Sequence, residues 1–456
     1  MKGRAALAIA VLVLQAAGLS GLDFGATLDN MSSYGNQQTP AFTQKDKLSA
    51  WFTTDIGQNL SFTATASAQL WNLSPWYILN VDVLNLSGQF PKVSGGPVLL
   101  DFTVGRYFES DFTGLVFSQQ SIDGLQLGFG IPGLVVTADV GYTGLTLNPL
   151  SYIVMTEADA VAQGNSSDFF GSPRIVGRLQ IQLPSLFLQQ DLTLTALFQQ
   201  DLRSLVSNVS LIQPGTTALT FGQGGSLDSE YFGAGLSGGL AQNLYYNTYA
   251  YLETGRTLSY LSASGSYQYE PILALLAGGG GRYYLPGFLT SSVGLDLLFA
   301  SGDADYTQPI EGNTAGNATA FSPITSPPRL LALAFSPNLE NIVAATFSYS
   351  IRPFAGAAKS PAALKNLQAV VKAIPMLRAT TGALAAPGIA SSAVSAGLSP
   401  TLDNLYLGSE FDLVVNYRPL SDLGVALSGG LFLPNATVFV SSALQYYAEL
   451  DLSLSF

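Results

Sequence analysis

The sequence predicts an all-β protein, a single antiparallel transmembrane β-barrel of about 18 strands (16–18) with short turns on one rim and long loops on the other. Three observations carry that prediction. Of 456 residues, 48% are hydrophobic and only 11% are charged, against roughly 25% charged in a soluble domain. Mean hydropathy is positive, +0.31, yet the apolar residues are scattered. Uncharged stretches later in the chain are broken by Gly, Asn and Gln, whereas a membrane-spanning helix needs about 20 mostly apolar residues in a row. Period two takes the place of such a helix: Leu60, Phe62, Ala64, Ala66, Ala68 and Leu70 alternate with Ser61, Thr63, Thr65, Ser67 and Gln69. A strand with one apolar and one small polar face suits lipid on one side and water on the other.

The elements follow in order. Lys2 and Arg4, an apolar run over 5–14 and small residues at Ala16, Gly18 and Ser20 read as a signal peptide over 1–20. Such a leader implies export, leaving 21–456 for the barrel. Alternation and turn residues divide the remainder into segments at 22–30, 47–57, 60–70, 77–90, 98–107, 121–130, 134–144, 174–184, 191–201, 229–240, 243–254, 265–284, 288–301, 329–336, 341–352, 403–418, 421–433 and 445–456. Connections after even-numbered segments are short, as at Gln58-Asn59, Ala241-Gln242 and Pro419-Leu420; those after odd-numbered segments reach their greatest length at 145–173, 202–228, 302–328 and 353–402. That parity places both termini on the rim of short turns, as in bacterial outer-membrane barrels. The last segment alternates Tyr446, Ala448, Leu450, Leu452, Leu454 and Phe456 against Tyr447, Glu449, Asp451, Ser453 and Ser455. Its terminal aromatic resembles the signal read by the barrel-assembly machinery, which with periplasmic chaperones and outer-membrane lipid completes the expected partners.

Composition removes most chemistry. His and Cys are absent, which excludes Ser-His and Cys-His catalysis, thiol redox chemistry, disulfides and the commonest zinc ligands. No metal, cofactor or enzymatic activity is expected. A net charge of −12 makes nucleic acid an unsuitable partner. With the apolar face toward lipid, the pore-lining candidates are Asp82, Asp101, Asp139, Asp296, Glu410 and Asp412, with Arg174, Arg178, Arg282, Arg352 and Arg418. Asp55, Glu449 and Asp451 add to the acids, so acid outnumbers base. A pore of that sign favours cations or neutral solutes. Arg352 and Glu410 are a candidate bracing pair. Glu410 and Asp412 share a face as catalytic carboxylates would, with nothing else to assemble a site around them.

The stretch LYLGSEFDLVVNYRPLSDLGVALSGGLFLPN at 405–435 carries Gly408, Ser409, Glu410, Asp412 and the end Leu431-Phe432-Leu433-Pro434. It resembles the late hairpin of the alginate-export family and related 18-stranded substrate-specific porins. The run Ala300-Ser301-Gly302-Asp303 is a second similarity. The resemblance implies a porin-like outer-membrane channel through which small hydrophilic solutes diffuse passively. The heavily basic lining of the alginate exporters is missing here, which turns the expectation toward weak cation preference. The competing readings are a transporter of hydrophobic molecules and a structural or adhesive barrel with a closed lumen. The first would carry an N-terminal hatch, whereas here the first strand begins almost at the mature N-terminus.

Three local features remain. Ser360-Pro361 precedes Leu364, Leu367, Val371 and Ile374 on one helical arc, with Lys365, Gln368 and Lys372 on another, before Pro375. This predicts an amphipathic helix in the 353–402 loop that either narrows the pore or lies on the surface. Ser301-Gly302-Asp303-Ala304-Asp305 has part of the acidic spacing of a calcium loop and otherwise reads as a polar turn. Gly278 to Gly281 interrupt a strand beside Arg282, which reads as a bend or as room for an inward loop.

Overall fold

The backbone of a strand buried in lipid has no water to bond, so every N–H and C=O must find a partner in a neighbouring strand. The computed structural model meets this requirement with one closed antiparallel sheet. It describes residues 22–36, 41–165, 168–206, 211–218, 225–261, 263–304, 315–356, 361–381, 405–439 and 443–456; the expected signal peptide lies outside them. The strands are β1 (Leu22–Gly35), β2 (Ala41–Ile56), β3 (Leu60–Trp71), β4 (Tyr77–Pro91), β5 (Leu99–Glu109), β6 (Gln120–Ile131), β7 (Leu134–Tyr142), β8 (Arg174–Phe187) and β9 (Gln190–Asp201). They continue with β10 (Leu227–Ala241), β11 (Leu244–Leu261), β12 (Ser266–Leu285), β13 (Ser291–Ala300), β14 (Ile342–Ile351), β15 (Gln368–Leu377), β16 (Tyr406–Tyr417), β17 (Leu423–Pro434) and β18 (Gln445–Ser455). Each pairs with its sequence neighbours, and β1 pairs with β18 from Thr27↔Ser455 to Gly35↔Tyr447. The seam ends in two reciprocal bonds, Ala26 N–H to the Phe456 carbonyl at 2.8 Å and Phe456 N–H to the Ala26 carbonyl at 3.0 Å.

Period two sets the faces. Leu48, Leu70, Leu127, Phe232, Leu252, Leu297, Phe411, Leu427 and Leu452 are exposed on the outer wall, while Ser49, Gln69, Tyr231, Glu253 and Glu410 are buried on the inner one. At Asp82 the register slips: Thr65 faces Val83 and Ala66 faces Val81. This bulge moves the exposed set on β4 from Leu79 and Val81 to Leu84, and the extra residue, Asp82, points inward.

The strand count agrees with the expectation through two compensating errors. The segment 329–336 is no strand; it belongs to the connection between β13 and β14, and Ala332, Ala334 and Phe335 are buried. Conversely, the predicted amphipathic helix is β15, preceded by a short 3-10 turn at Ala362–Asn366. Both faces of β15 are largely apolar, so period two and period 3.6 fit its sequence equally. Pro375 also reads as a helix stop, but here it sits in a strand. Its missing N–H coincides with a gap in the β14 ladder between Ala344↔Met376 and Phe347↔Ala373. The 353–402 loop is therefore divided: the described residues before β15 join the rim of short turns, and residues 378–381 after it lie at the opposite rim.

The terminal strand yields a prediction. Deleting Phe456, or replacing it by Asp, removes or disfavours the last bonds of the seam, and the fraction of protein migrating as the heat-modifiable folded form should fall. Wild-type amounts of that form would show that the terminal residue is dispensable for closure.

Candidate functional site

An 18-strand barrel is wider than its own inward side chains can fill, and loops occupy part of the interior. The β5–β6, β7–β8 and β13–β14 connections meet there. Thr325 N–H bonds the Val116 carbonyl at 3.2 Å, Ser326 N–H bonds the Tyr152 carbonyl at 2.8 Å, and Ser118 N–H bonds Thr325 Oγ1 at 2.8 Å. Their apolar side chains, among them Val116, Phe117, Phe321, Ile324 and Phe335, form one buried cluster with wall residues Tyr231, Tyr251 and Phe432. The sequence offered the 353–402 loop as one candidate for narrowing the pore; residues 357–360 and 382–402 of it lie outside the described residues. Among the described residues the loops that enter include these three, joined at the cluster by Val438 and Phe439 of the β17–β18 connection, and the segment misread as a strand is part of one of them.

The wall grips these loops with carboxylates and tyrosines. Glu253 on β11 accepts the Ser322 N–H at 2.8 Å, while Tyr231 donates to the Ser322 carbonyl at 2.5 Å. Asp111 folds its own loop by accepting the N–H groups of Thr113 (2.8 Å), Val116 (3.0 Å) and Phe117 (2.8 Å), and Tyr251 on the wall donates to it at 2.6 Å. Glu410 accepts the N–H groups of Ala334 at 2.6 Å and Phe335 at 2.7 Å.

The candidate residues divide into two groups. Arg174 is fully buried and bonds Asp159 at 2.8 Å and Asp201 at 2.9 Å. Arg203, at the foot of the β9–β10 connection, completes the cluster on Asp201 at 2.6 Å and Asp159 at 3.2 Å. Arg178 bridges Asp139 and Glu109, each at 2.8 Å. Asp82 pairs with Lys47 at 3.4 Å and is 5% exposed. Glu410 and Asp412 are 0% and 2% exposed, and Glu410 meets loop amides rather than Arg352. Apart from Asp412, which lies opposite Lys372 in the β15–β16 register, these groups brace the wall or the loops. Arg418 lies past the end of β16, its guanidinium donating to the Ser421 carbonyl in the turn. In the calcium-like run, Asp303 accepts the Thr319 N–H at 2.9 Å, and Asp305 lies outside the described residues.

The second group faces open cavities. Asp101, with Asp55, lines a cavity of about 490 Å³ beside β3–β5. Arg282, Asp296 and Arg352 line another of about 490 Å³ beside β12–β15, together with Ser292, Thr346, Ser348, Ser350 and Gln368. Lys372 joins them from β15. Sequence reading missed its role because it placed Lys372 on a helix; its position opposite Asp412 in the β15–β16 register follows only once that segment is a strand. Leu330 and Leu331 of the β13–β14 loop close this cavity on one side. Among the described residues, Arg282, Arg352 and Lys372 have no carboxylate within ion-pair distance. The glycine run beside Arg282 neither bends the strand out of pairing nor receives a loop. A side chain at Gly278 would overlap Tyr249, and one at Gly280 would overlap Asp296.

No protein-family model and no curated protein sequence matches the chain. Solved structures do match in shape. The outer-membrane protein OpdK of Pseudomonas aeruginosa superimposes with a TM-score of 0.53 at 12% identity, covering 96% of this chain and 99% of that one. OccK2 (OpdF) of the same organism, solved in complex with glucuronate, gives 0.53 at 12% identity over 96% and 98%. OprD gives 0.51 at 11% identity over 96% and 97%. The chain shares their fold. That agrees with the resemblance of the late hairpin to the 18-stranded substrate-specific porins.

The buried cluster at the loop rim generates a pH prediction. Asp159 lies in the β7–β8 connection, where Thr156 caps a short helix, α1 (Glu157–Gly164), in a reciprocal capping box. Burial alone would raise its carboxyl, but Arg174, Arg203, the Ser172 hydroxyl and the Met155 N–H hold it down, from 3.8 to about 2. A depressed carboxylate stabilises the docked loop above its unfolded pKa and loses that contribution as pH falls through the folded one. The window is therefore pH 4 to 2, and the amount is roughly 2 kcal/mol. Pepsin, active in that range, should begin to cleave within 143–173 as pH falls through it, and the Asp159→Asn protein should be cleaved already at pH 4. Equal resistance of the two proteins at pH 4 would remove the charge from the account of this loop.

Proposed function

We propose that the protein is a porin-like channel of the bacterial outer membrane through which small hydrophilic solutes diffuse down their gradients. The observation that carries this reading is a closed 18-strand wall whose interior keeps cavities lined by hydroxyls and unpaired charges beside the infolded loops. A purely structural barrel has no use for such charges, and a path for hydrophobic molecules would not be lined by them. Similarity in shape to OpdK, OccK2 and OprD supports the reading at the level of the fold.

The open charges are unevenly distributed. Asp55 and Asp101 lie on β2–β5, whereas Arg282, Arg352 and Lys372 outnumber the single acid Asp296 on or beside β12–β15, which the strand order places on roughly the opposite side of the ring. A field across the lumen orients solutes that carry separated charges. The basic side suits a carboxylate, and OpdK has been solved with vanillate as OccK2 has with glucuronate. Braced carboxylates such as Asp139 and Glu410 contribute little, so the overall preference for cations is weak.

Reversal potentials across planar bilayers in a salt gradient test this. Wild-type protein should conduct with a slight cation preference; Asp55→Asn with Asp101→Asn should shift it toward anions, and Arg282→Gln with Lys372→Gln the opposite way. Absence of any conductance in folded protein would favour the closed structural barrel, and an anion-selective wild type would reverse the sign assigned here.

A further inference from the structure

The segment 329–336 is a small closed unit inside the lumen. Its ends meet where Arg329 N–H donates to Ser336 Oγ at 2.6 Å. The Arg329 guanidinium lies on the Tyr447 ring, 3.8 Å from its centroid, and Phe335 stacks on Phe432 with centroids 4.4 Å apart. Two consecutive peptide N–H groups, Ala334 and Phe335, point at one fully buried carboxylate, Glu410, with an oxygen on each. Gly430 on the next strand permits this approach, since a side chain there would meet the Asp412 carboxylate and Leu333 Cβ, each at 2.8 Å, and the Ala334 nitrogen at 2.9 Å. Opposite this anchor, Leu330 and Leu331 form the loop-borne wall of the basic cavity.

From this arrangement, and resting on the channel reading above, we propose that Glu410 is a positioning residue for solute passage. Its carboxylate holds 329–336 across the lumen, so that Leu330 and Leu331 set the width of the cavity into which Arg282 and Lys372 project. A charge-assisted pair of bonds to adjacent amides is strong and directional, and removing the acceptor leaves two buried N–H groups unsatisfied. The segment then has reason to leave. Gly430 reaches the same end by another route: a side chain there displaces the segment, and presses on the Asp412 carboxylate beside it, while Glu410 itself is unchanged.

The chain has no cysteine, so Leu331→Cys provides a unique reporter in the full-length refolded protein. With Glu410 present, modification of that thiol by a small impermeant methanethiosulfonate should reduce single-channel current, and a bulky maleimide should react slowly. Glu410→Ala and Gly430→Val should each raise conductance roughly twofold by widening the path. Both should also speed maleimide labelling about tenfold, as expected when a locally closed state opens. Glu410→Gln, which keeps one acceptor, should lie between. Heat-modifiable mobility selects folded protein for every comparison. Wild-type conductance and labelling in folded Glu410→Ala and Gly430→Val would overturn the proposal. Should neither fold, Leu330→Ala with Leu331→Ala leaves the anchor intact and must still raise conductance; an unchanged value counts equally against it. A wild-type protein that carries no current defeats the channel reading, while the labelling rates still decide the role of Glu410.

Discussion

The constraint on which the structure depends is that a peptide group in lipid has no water to bond. It forces every strand to have two neighbours, so it forces β1 onto β18 and fixes the wall as a ring. Closure at eighteen strands then leaves an interior too wide for side chains to fill. Loops enter that space, and the same constraint returns with them, because each loop carries N–H groups away from bulk water. The wall answers with acceptors at the points of entry. Glu253 takes the Ser322 N–H and Glu410 takes those of Ala334 and Phe335, while Asp111 folds its own loop and is fixed to the wall by Tyr251.

This use of carboxylates changes what an acidic composition means. In an open pore, excess acid would translate into attraction for cations. Here several of the acids that face inward are acceptors for loop amides or partners of buried arginines, as Asp159 and Asp201 are for Arg174. Their charge is met locally, by amide donors or by guanidinium. Counting residues by face therefore overstates the field a solute feels. The acids that remain exposed to cavities are Asp55, Asp101 and Asp296; in the channel proposed above these would be the ones a solute meets, and the exposed bases rival them in number.

Much of the architecture was legible because its signal repeats. Alternation over Leu60 to Leu70 is unambiguous, and the parity of short and long connections sets the orientation of the ring without any structural knowledge. What could not be read follows from physics that alternation does not encode. Residues 329–336 alternate acceptably, but they are buried in an interior loop whose partner, Glu410, is distant in sequence. Gln368 to Leu377 carry apolar residues on both faces because the inner face packs on loops there, with Ile374 and Met376 fully buried, so the water-facing polarity that marks a strand is missing. The site suffered accordingly: Lys372 was lost with its strand, and the Arg352–Glu410 pair was inferred without the register, which puts Arg352 past the end of β14 and Glu410 opposite Ile374, well inside the sheet.

Glycine placement shows how the wall and the charge distribution are made together. Gly128 leaves space for the Asp101 carboxylate and Gly280 for that of Asp296, each of which would collide with a side chain at that position. Both acids thus lie flat along the wall instead of reaching into the lumen. Gly430 makes a third recess, for the Asp412 carboxylate opposite Lys372, while Lys372 and Arg352 line the open cavity beside β12–β15. At physiological salt, screening acts over about 8 Å, so in the channel proposed above a solute in a wide lumen would respond to the charges nearest its path. In that proposed channel, Arg282, Arg352 and Lys372 would meet an anionic group of a solute beside β12–β15, even in a chain whose total charge is −12.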